Sequence, residues 1–308
     1  MHTRAGGICT IVLGCWLSIA ATGAAAWNAT GHMITAKIAE DRLEPDVRAE
    51  VNRLIGVLSG FEPEFSNLVP AATWMDMIKQ FDRGLLAFNP WHFYDQPYNP
   101  QGLPGVVAPP EQNVVWAIGQ ASATVGSPQA TDFEKALMLR MLIHFVGDVH
   151  QPLHATNRIS ISNPDGDFGG NFFDLSGAET SNLHQFWDDT AGIFPKIDPA
   201  KDWRPIAGFA KKIENAISAS DQPPLLPQGS MSLEAWAQSN AQAWAIESYQ
   251  YGVNAAYAGI KPNTSPSAAY TARAREIIRE RLAYGGYRLA AVLNTAIMSG
   301  MAESKQGD

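Results

Sequence analysis

The chain has 308 residues, 46% hydrophobic and 17% charged, enough apolar material for a substantial core and too much for a disordered or low-complexity protein. Its 30 acidic residues outnumber 22 basic ones, giving a net charge of −8, the wrong sign for a protein that grips a polyanion through a lysine- and arginine-rich surface. A phosphate-bearing substrate therefore needs a local cation.

Residues 1–26 read as a secretory signal peptide, with Arg4 and no acid at the start, a largely apolar run from Ile8 to Ala20, and Ala24-Ala25-Ala26 as a small-residue cleavage site before Trp27. The apolar run is too short for a transmembrane span. Val12-Leu13-Gly14-Cys15 offers a weaker alternative, a lipoprotein cleavage box with an anchor at Cys15. Cys9 and Cys15 are the two cysteines, so the exported protein carries no disulfide, and its net charge becomes −9 once Arg4 is removed. Stability must then come from packing or from metal.

Beyond the leader, apolar residues recur with a period of 3.6, and alternating strand patterns are scarce. The pattern predicts helices over Ile34 to Leu43, Asp46 to Leu58, Ala71 to Phe81, Val114 to Thr124, Asp132 to Val149, Ile206 to Ser218, Leu233 to Tyr251 and Thr271 to Met298, the last bent at Gly285-Gly286. Connectors rich in Pro, Gly and Asn separate them, notably Asn89 to Pro110, Ser160 to Gly177 and Asp221 to Gly229. The expectation is one all-α, mainly helical domain over residues 27–300, followed by a polar tail at 301–308.

Chemistry concentrates in "LIHFVGDVHQPLH", residues 142–154. His144 and Asp148 are four apart, so they project from one helical face, and Pro152 stops the helix and turns His154 back toward them. Such an H-x3-D-x5-H pattern can close on a metal, since neutral imidazole and carboxylate are zinc ligands. "NLHQFWDD" repeats the geometry, with His184 and Asp188 again four apart. Of the 7 histidines, His2 leaves with the leader, and His32, His92, His144, His154 and His184 each sit near a carboxylate or an unusual terminus. His150 is left over, as a supporting or structural residue. A single such histidine is more often satisfied inside a core than bound to metal; five with their carboxylates are not.

Six motifs occur in order: W-x4-H at Trp27, W-x-D at Trp74, W-H-F-x-D at Trp91, H-F-x-G-D-x-H-Q-P-L-H at His144, G-G-N at Gly169 and N-L-H-x2-W-D at Asn182. Together with "GGYRLAAVLN" near the end, they make the chain resemble the S1/P1 nuclease family, which shares an all-α fold and a three-zinc site with bacterial zinc phospholipase C. That resemblance implies a first zinc on Asp76, His92, His144 and Asp148, and a second on His154, His184 and Asp188. A third takes the free amino group and carbonyl of Trp27, with His32 and Asp148, so that Asp148 bridges two metals. Phe93 and Asp95 correspond to a base pocket, the ring stacking and the carboxylate accepting from the base edge. Lys79 and Asn171 correspond to contacts with the scissile phosphate. Unlike the fungal members, this chain lacks their cysteines and has a longer stretch between His154 and Asn171, which bears on where Asn171 sits.

The implied function is a secreted or periplasmic zinc endonuclease, a phosphodiesterase acting on single-stranded DNA and RNA and on 3′-mononucleotides, monomeric and without stable membrane association. It uses three Zn2+ and leaves 5′-phosphorylated products. Two rivals stand beside it. One is a phospholipase C on the same scaffold, which would place Glu at position 188 and lack the Phe93/Asp95 pocket. The other is a non-catalytic zinc-binding exported protein, whose sites would fill every coordination position.

Overall fold

A computed structural model describes residues 27–79, 83–177 and 179–304, so the expected leader, Phe81 and the last four residues of the tail lie outside the described residues. Among the described residues ten α-helices run in chain order: α1 (Ala29–Glu40), α2 (Pro45–Val57), α3 (Leu68–Ala71), α4 (Trp74–Ile78), α5 (Val114–Gly126), α6 (Asp132–Asp148), α7 (Leu183–Asp188), α8 (Pro205–Ala216), α9 (Leu233–Tyr251) and α10 (Ala268–Ser304). A two-stranded parallel sheet, β1 (Gln96–Tyr98) with β2 (Thr156–Arg158), pairs Gln96 with Thr156 and Tyr98 with Arg158. The fold is mainly helical, as the periodicity predicts. No helix among the described residues is long and apolar enough to cross a membrane.

Local chemistry sets most boundaries. Pro45 opens α2 at a position where its missing N–H costs nothing, and Thr131 with Glu134 forms a capping box at the start of α6. Two elements depart from expectation. Helix α1 begins five residues before Ile34 because the Asn28 side chain accepts from the Gly31 N–H and caps it. The helix expected over Ala71 to Phe81 is instead two short pieces, α3 and α4, and the break leaves the Ala72 carbonyl facing His144 Nδ1 at 2.7 Å.

Helix α10 is uninterrupted through Gly285-Gly286, and the two glycines serve close packing. A Cβ at Gly286 would meet Ile38 Cβ at 2.5 Å, and one at Gly285 would meet Thr35 Cγ2 at 3.2 Å, so α1 can lie directly against this stretch. The same helix runs four residues into the expected polar tail, where Met301 packs on the core and Gly300 lets the Gly126 carbonyl approach. One apolar cluster joins α2, α5, α6, α9 and α10, and a second joins α1, α7, α8 and α10. Helix α6 ends between them, placing residues 144–154 in the interior.

Candidate metal centre

The residues that hold this centre come from α1, α4, the 3-10 segment Arg83–His92, α6, the turn Pro152–His154 and α7. Asp148 stands in the middle. Its Oδ2 lies 2.8 Å from His92 Nδ1 and 3.2 Å from His144 Nε2, and its Oδ1 lies 3.4 Å from His32 Nε2 and 3.7 Å from His154 Nδ1. Asp76 flanks it, with Oδ1 3.7 Å from His144 Nε2 and Oδ2 3.9 Å from His32 Nε2. On the far side, Asp188 Oδ2 is 3.2 Å from His184 Nε2 and its Oδ1 is 3.9 Å from His154 Nε2.

Three sets that could each hold a metal ion emerge, with donor atoms within 4.8 Å of one another: Asp76–His92–His144, His32–His144–Asp148 and His154–His184–Asp188. All eight side chains expected from the sequence are therefore brought together. The grouping differs in two respects: His144 belongs to two sets, its ring stacked on His32 with centroids 3.9 Å apart, and Asp148 belongs to one, with His32 and His144. That stacking depends on Gly147, where a Cβ would meet His32 Nδ1 at 2.7 Å.

Backbone carbonyls orient three of the rings. Nδ1 of His144 donates to Ala72 O (2.7 Å), that of His154 to His92 O (3.0 Å) and that of His184 to Gly169 O (2.8 Å). Each bond places the proton on Nδ1 and leaves the Nε2 lone pair for the centre. Burial drives His32, His92 and His154 below the ordinary imidazole value and His144 to about 4, so the rings are neutral. Burial likewise pushes Asp148 and Asp188 up to about 7. Asp76 also loses solvent, yet the Lys79 ammonium beside it holds its carboxyl well below the usual range.

These groups fit divalent cations. His32 Nδ1 and Nε2, His92 Nε2, His154 Nε2 and Asp148 Oδ1 are all buried without a hydrogen-bond partner, a cost that a coordinated cation removes.

The remaining expected residues rim this centre. Trp27 is fully buried, its indole N–H donating to Gly147 O (3.0 Å), and the Asn28 N–H donates to Asp188 O (3.0 Å), so the start of the described chain lies between the ends of α6 and α7. Lys79 Nζ donates to Asp76 Oδ1 at 2.9 Å. The Phe93 ring, partly exposed, lies 4.7 Å from the His154 ring and 6.4 Å from that of His184. Asp95 adopts a left-handed φ of 52°, and burial pushes its carboxyl to about 7. Asn171 is partly exposed and donates through Nδ2 to Phe168 O (2.7 Å).

His150 turns away. Its Nδ1 donates to Val146 O and its Nε2 accepts from Arg288, which Glu247 also binds, so it anchors the end of α6 from behind. Gln151 is a residue that sequence reasoning passed over. Fully buried, it donates to Asp188 Oδ1 (2.6 Å) while accepting from the Leu153 N–H, and so ties α7 to the turn carrying His154. The signal was there, a polar residue between two expected ligands in "HQPLH", but its partner lies 37 residues away.

A model of the S1/P1 nuclease family matches residues 27–298. The chain is 25% identical over 299 residues to Nuclease S1 of Aspergillus oryzae, covering 87% of this chain and 91% of that one. It is 28% identical over 288 residues to Endonuclease 3 of Arabidopsis thaliana, covering 88% and 89%. To Nuclease P1 of Penicillium citrinum it is 26% identical over 175 residues, 53% of this chain and 57% of that one.

Proposed function

The chain belongs to the S1/P1 nuclease family, and from that premise we propose an exported zinc endonuclease, one domain over residues 27–300, that cleaves single-stranded DNA and RNA to 5′-phosphorylated products and hydrolyses 3′-mononucleotides. The observation that carries this reading is the convergence of three His/Asp sets, each containing at least one buried donor atom without a hydrogen-bond partner. We assign one zinc to Asp76, His92, His144 and Asp148, one to His154, His184 and Asp188, and one to His32, Asp148 and the amino group and carbonyl of Trp27. Bound zinc supplies positive charge against the phosphate and makes water nucleophilic near neutral pH, which resolves the conflict between an acidic chain and an anionic substrate. Lys79 and Asn171 donate to phosphate oxygens. Phe93 stacks on a base, and Asp95 accepts from its edge. Asp rather than Glu at position 188, together with the Phe93/Asp95 pair, favours nucleic acid over phospholipid.

Side-by-side assay on single-stranded DNA, RNA, 3′-mononucleotides and phosphatidylcholine tests the reading. Turnover of the first three is expected; turnover of phosphatidylcholine alone overturns it. Elemental analysis should give close to three zinc per chain, and chelation should lower the melting temperature as well as abolish activity, because the ligands join several separate helices. Full activity with about one zinc rejects the three-metal assignment.

Phe93→Ala separates stacking from packing. Base stacking is worth about 1–3 kcal/mol, so oligonucleotide cleavage should fall roughly tenfold or more, with a base-free phosphodiester much less affected. Equal loss on both substrates would assign the ring to packing.

A further inference from the structure

Behind His184 lies a turn with unusual backbone geometry. Phe168, Gly169 and Gly170 take consecutive left-handed conformations, with φ of 51°, 64° and 85°. A bulky L-residue such as Phe168 rarely adopts this region, and a Cβ at Gly169 would meet Leu153 O at 2.4 Å and His184 Nδ1 at 3.1 Å. Such a turn persists only where its surroundings hold it.

Asp167 is the residue that does so. Fully buried, its Oδ1 accepts from three donors: the Gly170 N–H (2.9 Å), the Arg158 N–H (3.1 Å) and the Tyr257 hydroxyl (2.8 Å). Its own N–H donates to Arg158 O at 3.0 Å, and its carbonyl accepts from the Phe172 N–H at 3.1 Å. One carboxylate thus ties the turn to β2 and to the residue that ends the π-helical turn after α9.

What the turn delivers is functional. The Gly169 carbonyl accepts from His184 Nδ1 (2.8 Å), the Gly170 carbonyl accepts from the His184 N–H (3.3 Å), and the Phe168 carbonyl accepts from Asn171 Nδ2 (2.7 Å). Without the first of these bonds, neither the proton on Nδ1 nor the direction of Nε2 toward Asp188 is fixed.

We propose that Asp167 is the positioning residue of the His154–His184–Asp188 group, acting through the left-handed turn that orients His184 and Asn171. This rests on the reading of that group as a zinc site.

The test compares wild type with Asp167→Ala, Asp167→Asn and Tyr257→Phe after dialysis against a limiting chelator, reading zinc per chain, melting temperature, kcat and KM. Folded Asp167→Ala should retain about one zinc fewer than wild type and lose kcat by about 10–100-fold, the range for removing an outer partner of a metal ligand. Asp167→Asn keeps an acceptor oxygen and should fall between the two, and Tyr257→Phe, which removes one of three donors, should shift the same quantities less. Unchanged zinc content and kcat with only a lower melting temperature overturns the proposal, as does a loss spread evenly over all sites. Where Asp167→Ala does not fold, the Asn and Phe variants decide by the same criteria. A wild-type chain without zinc overturns the metal reading itself, a result distinct from a zinc-loaded wild type whose variants match it.

Discussion

Asp148→Asn is expected to lose zinc at two positions and to be the most damaging single replacement in the centre. Asp148 is the carboxylate that reaches His32, His92, His144 and His154, at 3.4, 2.8, 3.2 and 3.7 Å. Removing its charge leaves buried imidazoles around a neutral amide, which offers a cation one carbonyl oxygen in place of two carboxylate oxygens. Loss of an outer partner alone costs about 10–100-fold in metal affinity or activity, so a ligand shared by two sites should cost more than about a hundredfold in turnover. Asp76→Asn is the comparison, because Asp76 is assigned to one zinc and Asp148 to two. Zinc analysis should show the Asp148 variant about one ion poorer than the Asp76 variant; equal loss in both would reject bridging.

Residues left in front of Trp27 should have an effect of similar size. The Trp27 side chain is buried against Gly147 O, and the next residue is tied to Asp188 O, so the start of the described chain is held between the ends of α6 and α7. A free α-amino group, with a solution pKa of about 7.7–8.0, becomes a ligand with modest help from a metal. An added residue converts it to an amide, a far poorer ligand, and adds bulk beside the phosphate site. A form beginning at Trp27 and one with a short Gly-Ser extension should therefore differ by about one zinc and by roughly a hundredfold or more in turnover, with equal helical content by circular dichroism. Equal metal and activity would make Trp27 an apolar anchor and no more.

Much of this site was legible in the chain because its elements are local. Two i, i+4 pairs, His144/Asp148 and His184/Asp188, need only a helix to point both side chains one way, and Pro152 needs only its fixed φ to end α6 before His154. The apolar period of 3.6 located α5, α6 and α9 closely, since each buries a continuous stripe. It failed at the start of α1, where the inward-facing His32 is polar and burial no longer coincides with hydrophobicity. It also ran one helix through the break between α3 and α4, because the residues there, Ala72, Trp74 and Met75, are buried and apolar and leave no mark of the break in the period.

The sequence by itself determined the candidate ligand types, their pairing along helices and the all-α class. Only the tertiary structure decided how the pairs combine. That His144 stacks on His32 follows from Gly147 having no Cβ; that His184 points its Nε2 inward follows from a left-handed turn held by Asp167. The Ala72 carbonyl that orients His144 is 72 residues from it, and Gln151 meets Asp188 across 37. Such bonds join backbone carbonyls and side chains that no local period relates, and they form only once packing has brought α1, α4, α6 and α7 to one point.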